Sequence, residues 1–248
     1  MISFINTPNL PEENVTAVIC GEICDELSDY LVNHGIERLM IEPNNDIDSA
    51  VRFHADMSAF YLGTGKILLD KRQQLLGERL LSMGMQVEYA VSEIKGLYPD
   101  DIALNFTLLG DKLIGKTDSA DNNLLKLTDT YKKINVRQGY CKCSCLVINE
   151  NAVITDDESI YKALCADGVD TLLVSKGDIS LNGHDYGFIG GASCKISKDT
   201  VLFFGDVSKH RDYKKIAGFI EKHGCKIEYL RFPLTDFGGL IPITEKAP

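Results

Sequence analysis

At 248 residues, 44% of them hydrophobic and 25% charged, the chain has the composition of a globular protein with a sizeable core. Its net charge of −10 at pH 7 argues against a nucleic-acid surface, which needs clustered Lys and Arg, and no apolar run approaches the length of a membrane span. The start, MISFINTPNLPEEN, has no basic segment followed by an apolar one, so a cytoplasmic protein with no membrane partner is expected. The eight cysteines then read as reduced thiols, not as a disulfide framework.

The first helix is expected over 21–34, ended by Gly35, after which NHGIERLMIE runs on into an apolar strand. HADMSAFYLGTGKILLD reads as a hairpin turning near Gly63, followed by a helix over 70–83, Gly84 and the strand of SMGMQVEYAV. DIALNFTLLGDKLIGK turns near Gly110 and leads to a helix over 119–132, with Asp118 or Ser119 as N-cap and no closing glycine. KCSCLVINENAVITDD turns near Glu150, before a helix over 157–167, Gly168 and a further strand in ADGVDTLLVS. GGASCKISKDTVLFFGD turns near Lys198, before a helix over 208–223 capped by Ser208, then Gly224 and KHGCKIEYLR.

The hairpin turns fall 47, 40 and 48 residues apart, a period that marks a repeat array or propeller. Each unit reads strand–strand–helix–strand, and one unit alone cannot bury both faces of its sheet. No Ser/Gly-rich linker interrupts the series, so residues 1–248 read as one domain. The segment DFGGLIPI and a strand around ISFI are expected to complete a fifth unit at the N-terminus. That closes a five-bladed α/β propeller and removes exposed sheet edges.

Such a ring resembles the pentein fold of guanidine-modifying enzymes, which include deiminases, amidinotransferases and dimethylarginine hydrolases. The resemblance covers essentially the whole chain. The stretches HADM, GYCKCS, ITDD, YGFIGGAS and DFGGLIPI further resemble a bacterial branch of this fold for which no reaction is established. The resemblance implies a cysteine-dependent hydrolase or transferase acting on a small guanidino or amidino compound, with neither cofactor nor metal. Non-catalytic relatives supply the alternative, a protein that binds a small ligand or a protein partner.

In a propeller the first strand of each unit lines the axis, so its polar groups face a central channel. Period-2 alternation puts His54 with Asp56, Asp101 with Asn105, and Cys141 with Cys143 and Cys145 on common faces. Counting back seven residues from the turns aligns Asp56 with Cys143, and also reaches Ala103 and Gly191. HADM resembles the His-x-Asp of agmatine-deiminase-like enzymes. That implies His54 as acid/base and Asp56 as the group gripping guanidinium, whose planar fork suits a carboxylate. The structural alternative is a His and an Asp that pair with backbone at a strand end.

GYCKCSC concentrates three thiols, and Cys143 is the candidate nucleophile if a neighbour lowers its pKa. Alternation sends Lys142 to the opposite face, so His54 is the expected helper. The same three cysteines serve equally as small apolar residues, and their spacing is not that of a zinc knuckle. GGASC resembles the Gly-Gly-x-x-Cys segment that carries the family's nucleophile, which makes Cys194 a second candidate. It lies in the fourth hairpin, however, and the C-terminal glycine pair is followed by Leu240, Ile241 and Pro242, so the family's C-terminal cysteine is absent. Gly190 and Gly191 allow close approach of a ligand or of a neighbouring unit. Asp236 and Asn105 complete the expected substrate-binding set.

Overall fold

The computed structural model describes residues 1–247. Four consecutive units repeat an antiparallel hairpin, a helix and a strand returning parallel to the second hairpin strand. The first has β4 (Ala59–Gly63), β5 (Lys66–Leu69), α3 (Gln74–Ser82) and β6 (Gln86–Tyr89). The second has β7 (Thr107–Leu109), β8 (Lys112–Gly115), α4 (Asn122–Leu127) and β9 (Lys132–Asn135). The third has β10 (Cys145–Asn149), β11 (Ala152–Thr155), α5 (Glu158–Ala166) and β12 (Asp170–Leu173). The fourth has β13 (Ser193–Ser197), β14 (Thr200–Phe203), α6 (Tyr213–Lys222) and β15 (Lys226–Tyr229).

The fifth unit joins the two ends of the chain. Its first strand is β16 (Ile241–Lys246), paired antiparallel with β2 (Val15–Cys20). After α1 (Asp25–Asn33), β3 (Glu37–Met40) returns parallel to β2. The ISFI segment is a different element from the one expected: β1 (Ile2–Phe4) adds an outer strand to β16 and is not the hairpin partner. VTAVIC takes that place because its β-branched, buried run suits a strand flanked on both sides. The first strands of neighbouring units touch in order around the axis, with β7 against β10, β10 against β13, β13 against β16 and β16 against β4.

All four turns fall where the sequence places them, each a two-residue loop. The helix-ending glycines Gly35, Gly84, Gly168 and Gly224 have φ of +68°, +88°, +78° and +74°. Nothing packs within 4 Å of where their Cβ atoms would lie, so backbone conformation alone calls for glycine there. The helices are shorter at their N-termini than periodicity predicts. Asp121, not Asp118 or Ser119, caps α4 by accepting from the N–H groups of Asn123 and Leu124. Ser208 lies in a single 3-10 turn whose cap is Asp206, and α6 begins only at Tyr213. None of the described helices is long and apolar enough to cross a membrane.

Candidate functional site

The residues entering the first strands of the first, third and fourth units are tight turns, not strand. Ala55–Ser58 form one helical turn (α2), and Ser144 N–H donates to Tyr140 O at 3.0 Å. In the fourth unit Ala192 N–H donates to Phe188 O at 3.1 Å. Side chains here therefore follow a helical period, which corrects the alternation read from the sequence. Cys141 and Cys145, four apart, share a buried face with their Sγ atoms 4.0 Å apart, and Cys143 points the other way. The register differs as well: Gly63 pairs with Lys66 and Asn149 with Ala152, so Gly63 matches Asn149, one residue short of Glu150. Asp56 is thus equivalent to Lys142, not to Cys143.

Asp56 and Cys143 nevertheless meet at the axis. The Cys143 thiol donates to Asp56 Oδ2 at 2.9 Å. With His54 they bring an imidazole nitrogen, a carboxylate oxygen and a sulfur within 4.8 Å of one another, all three residues buried. Asn105 holds the pair in place: its Nδ2 donates to Cys143 Sγ at 3.2 Å and to Asp56 O at 3.3 Å, and its Oδ1 accepts from Lys142 N–H at 2.7 Å. Asp236 closes the cluster from the fifth unit. Its carboxylate accepts from Gly238 N–H at 2.8 Å and from Phe188 N–H at 2.9 Å. Its Oδ1 lies 3.9 Å from His54 Nδ1, too far for a hydrogen bond.

Crowding explains the glycines. A Cβ on Gly191 would sit 2.0 Å from Asp236 Oδ1, and one on Gly190 would meet three carbonyl oxygens of residues 142–145 at 2.4–2.7 Å. These glycines let units pack against each other and against Asp236.

Burial dominates the electrostatics. It pushes the Asp56 carboxyl up to about 6, His54 pulling it down and Asp236 pushing it further up. Burial and the charges of Asp56 and Asp236 hold the Cys143 thiol well above its ordinary value, so the thiol is protonated at rest. His54 Nδ1 and Asp56 Oδ1 are both buried without a hydrogen-bond partner. Unpaired polar atoms of this kind are costly in a stable interior and common where a ligand completes the set.

A cavity of about 280 Å³ opens onto this cluster. His54, Cys143 and Asp236 form part of its lining, whereas Asp56 and Asn105 lie behind Cys143. Gly190, Gly191 and Cys194 do not line it. Cys194, in β13, packs in the apolar cluster with Ile196, Leu202 and Phe204, and burial pushes its thiol up to about 12. The rest of the wall escaped the sequence reading: Tyr140, Tyr186 and Phe188 supply rings, Asp48 and Asp185 carboxylates, and His184 an imidazole. The spacing of those residues gives no signal, because they come from irregular connections. Asp101, beside Tyr140, accepts the tyrosine hydroxyl at 2.7 Å, and its other oxygen is buried without a partner.

Among the described residues, His54, Asp56 and Cys143 are the group whose donor atoms converge as a metal site requires. Cys141, Cys143 and Cys145 do not, since they face different ways. A wider groove of about 860 Å³ runs past the start of α5. Two of its acids are already engaged: Asp157 caps α5, and Asp212 accepts from Ser175 N–H and Lys215.

Among curated proteins none matches the sequence. Among solved structures the chain is similar to SxtG, an amidinotransferase of the saxitoxin pathway of Microseira wollei, at 11% identity over 98% of each chain and a TM-score of 0.63. It is similar to the inosamine-phosphate amidinotransferase StrB1 of Streptomyces griseus at 12% identity over 99% of this chain and 98% of that one, TM-score 0.63. An agmatine deiminase of C. jejuni aligns at 12% identity over 93% and 90%, TM-score 0.56. These likenesses establish the fold, a pentein. A profile of a family of unknown function (DUF6873) matches residues 18–241, and the chain belongs to that family.

Proposed function

We propose that this protein is a cysteine-dependent hydrolase or transferase acting on a small guanidino or amidino compound in the axial cavity. The observation that carries this reading is the Cys143 thiol at the cavity wall, beside His54 and Asp236 and backed by Asp56, with no Lys or Arg in the lining. A guanidinium placed against Asp236 and near Asp56 offsets the field that keeps the thiol protonated. Binding a cation therefore brings the Cys143 pKa down, and the thiol's proton passes along its hydrogen bond to Asp56 as the sulfur attacks.

The thiolate attacks the central carbon, forming an S–C bond. The C–N bond to the leaving nitrogen breaks as His54 delivers a proton to it. His54 takes a proton from water as the water oxygen attacks the same carbon, the S–C bond breaks, Asp56 returns its proton to the departing thiolate, and the released ammonia takes the extra proton from the urea. In sum a guanidinium and water give a urea and an ammonium ion. An amine in place of water gives amidino transfer. Cys194 takes no part, because it does not reach the cavity.

One observation favours the second reading, a ligand-binding protein without turnover: after the C-terminal glycine pair Gly238–Gly239 this chain has Leu240, Ile241 and Pro242, with no cysteine. One panel separates the two. Purified protein is given guanidino and amidino compounds, and release of ammonium, urea or amine is followed alongside thermal shift. Turnover that disappears in Cys143→Ser, with ligand binding retained, supports the enzyme. Binding without turnover leaves the second reading, and neither binding nor turnover contradicts both.

A further inference from the structure

Resting on the guanidino reading, we infer that the ligand of the axial cavity is a double cation: its guanidino end lies against Asp236 and its far end carries a second positive charge, not a carboxylate. The lining itself points this way. Two aspartates besides Asp236 form part of the wall, Asp48 and Asp185, and two more lie just behind it, Asp56 and Asp101. Asp56, Asp101 and Asp185 have no ion-pair partner among the described residues, and Asp48 has only His184, at 3.2 Å. No Lys or Arg lines the cavity. The buried, unpartnered Nδ1 of His54 shows independently that the pocket is built for a ligand and is not merely an acidic surface.

The wall divides into zones that match such a molecule. Cys143, His54 and buried Asp236 sit at the reactive end, while Asp185 and the Asp48–His184 pair are exposed or half-exposed. Tyr140, Tyr186 and Phe188 contact one another in series, with centroid separations of 6.1 and 6.0 Å. With Val51 and Leu181 they offer an apolar wall to a methylene chain and ring faces to a cation. The basic groups nearby open elsewhere. Lys142 lines a separate crevice with Pro8, Phe60 and Ile241, and Lys176, 5.4 Å from the Tyr186 ring, is outside the lining. Arg52 opens on an adjoining groove that shares His54 and Asp236 with the cavity; a ligand reaching into it would favour a carboxylate. The two geometries thus make opposite predictions.

The test compares guanidinobutylamine with guanidinobutyrate, equal in length and opposite in far-end charge. Like charges set face to face repel, so the amine is expected to win by about a hundredfold in kcat/KM or affinity. Raising salt should narrow the gap. Asp185→Asn, at an exposed position that cannot disturb the core, should weaken the amine about threefold to fivefold and strengthen the butyrate by a similar factor. Equal use of the two, or preference for the butyrate, overturns the double cation while leaving the guanidino reading intact. If neither is turned over, the wider panel decides that reading, and calorimetry with diaminobutane against aminobutyrate decides the double cation. Tighter binding of diaminobutane upholds the double-cation pocket. Equal binding, tighter aminobutyrate, or no binding of either overturns it.

Discussion

Asp156 and Asp56 show how single buried carboxyls shape behaviour across pH. Asp156 follows β11; its Oδ2 accepts from Ile189 N–H at 2.9 Å and its Oδ1 is buried without a partner. Burial pushes its carboxyl up to about 7, with that N–H pulling the other way. A carboxyl raised in the folded protein holds its proton to higher pH than it does in the unfolded chain. Between roughly pH 4 and 7 the unfolded state therefore binds fewer protons, and stability falls as pH rises. Asp156→Asn keeps an oxygen for Ile189 and is expected to gain about 2–4 kcal/mol at pH 8, the gain vanishing near pH 4. Denaturant unfolding at the two pH values checks this. At Asp56 the readout is the neighbouring thiol. Asp56→Asn removes a charge that holds the Cys143 thiol up, so Cys143 should alkylate faster at neutral pH than in the unchanged protein. Slower alkylation would mean that the carboxylate acts as the thiol's base even without a ligand.

At the scale of elements, the turns that feed the first strands decide where chemistry sits. Asn105 bridges the Asp56 and Cys143 turns, and replacing it with Leu leaves the N–H groups of residues 142 and 143 unpaired. That should cost about 1–3 kcal/mol and loosen the thiol–carboxylate contact, seen as lower stability together with altered Cys143 alkylation. Gly191→Ala tests the close approach more sharply. Its methyl would overlap Asp236 Oδ1, so ligand binding should fall more than stability does. The sequence made hairpins, turns and helix ends legible because glycine caps and two-residue loops have strong local signatures. The site was legible only in part: His54, Asp56, Cys143 and Asp236 stand out as polar residues near the axis. Helical entry turns escaped notice because four-residue turns carry too few positions to show a period. Tyr140, Tyr186 and Phe188 escaped because residues on irregular connections follow no period at all.

For the whole molecule, closure of the ring through β16 is the defining contact. β16 lies between β1 and β2, and Ile243 on it is fully buried in the apolar cluster shared with the first and fourth units. Ile243→Ala should cost about 2–5 kcal/mol, measured by unfolding, because the cavity it leaves is enclosed on all sides. The same closure brings Asp236 from the fifth unit to His54 of the first and Cys143 of the third, so the site exists only when the ring is shut. The most direct test of the account is mass spectrometry of the protein mixed with a guanidino substrate and quenched during turnover. The account predicts an amidino adduct on Cys143, absent in Cys143→Ser, together with release of ammonium or amine. Turnover that survives Cys143→Ser, or an adduct on Cys194 instead, would contradict it.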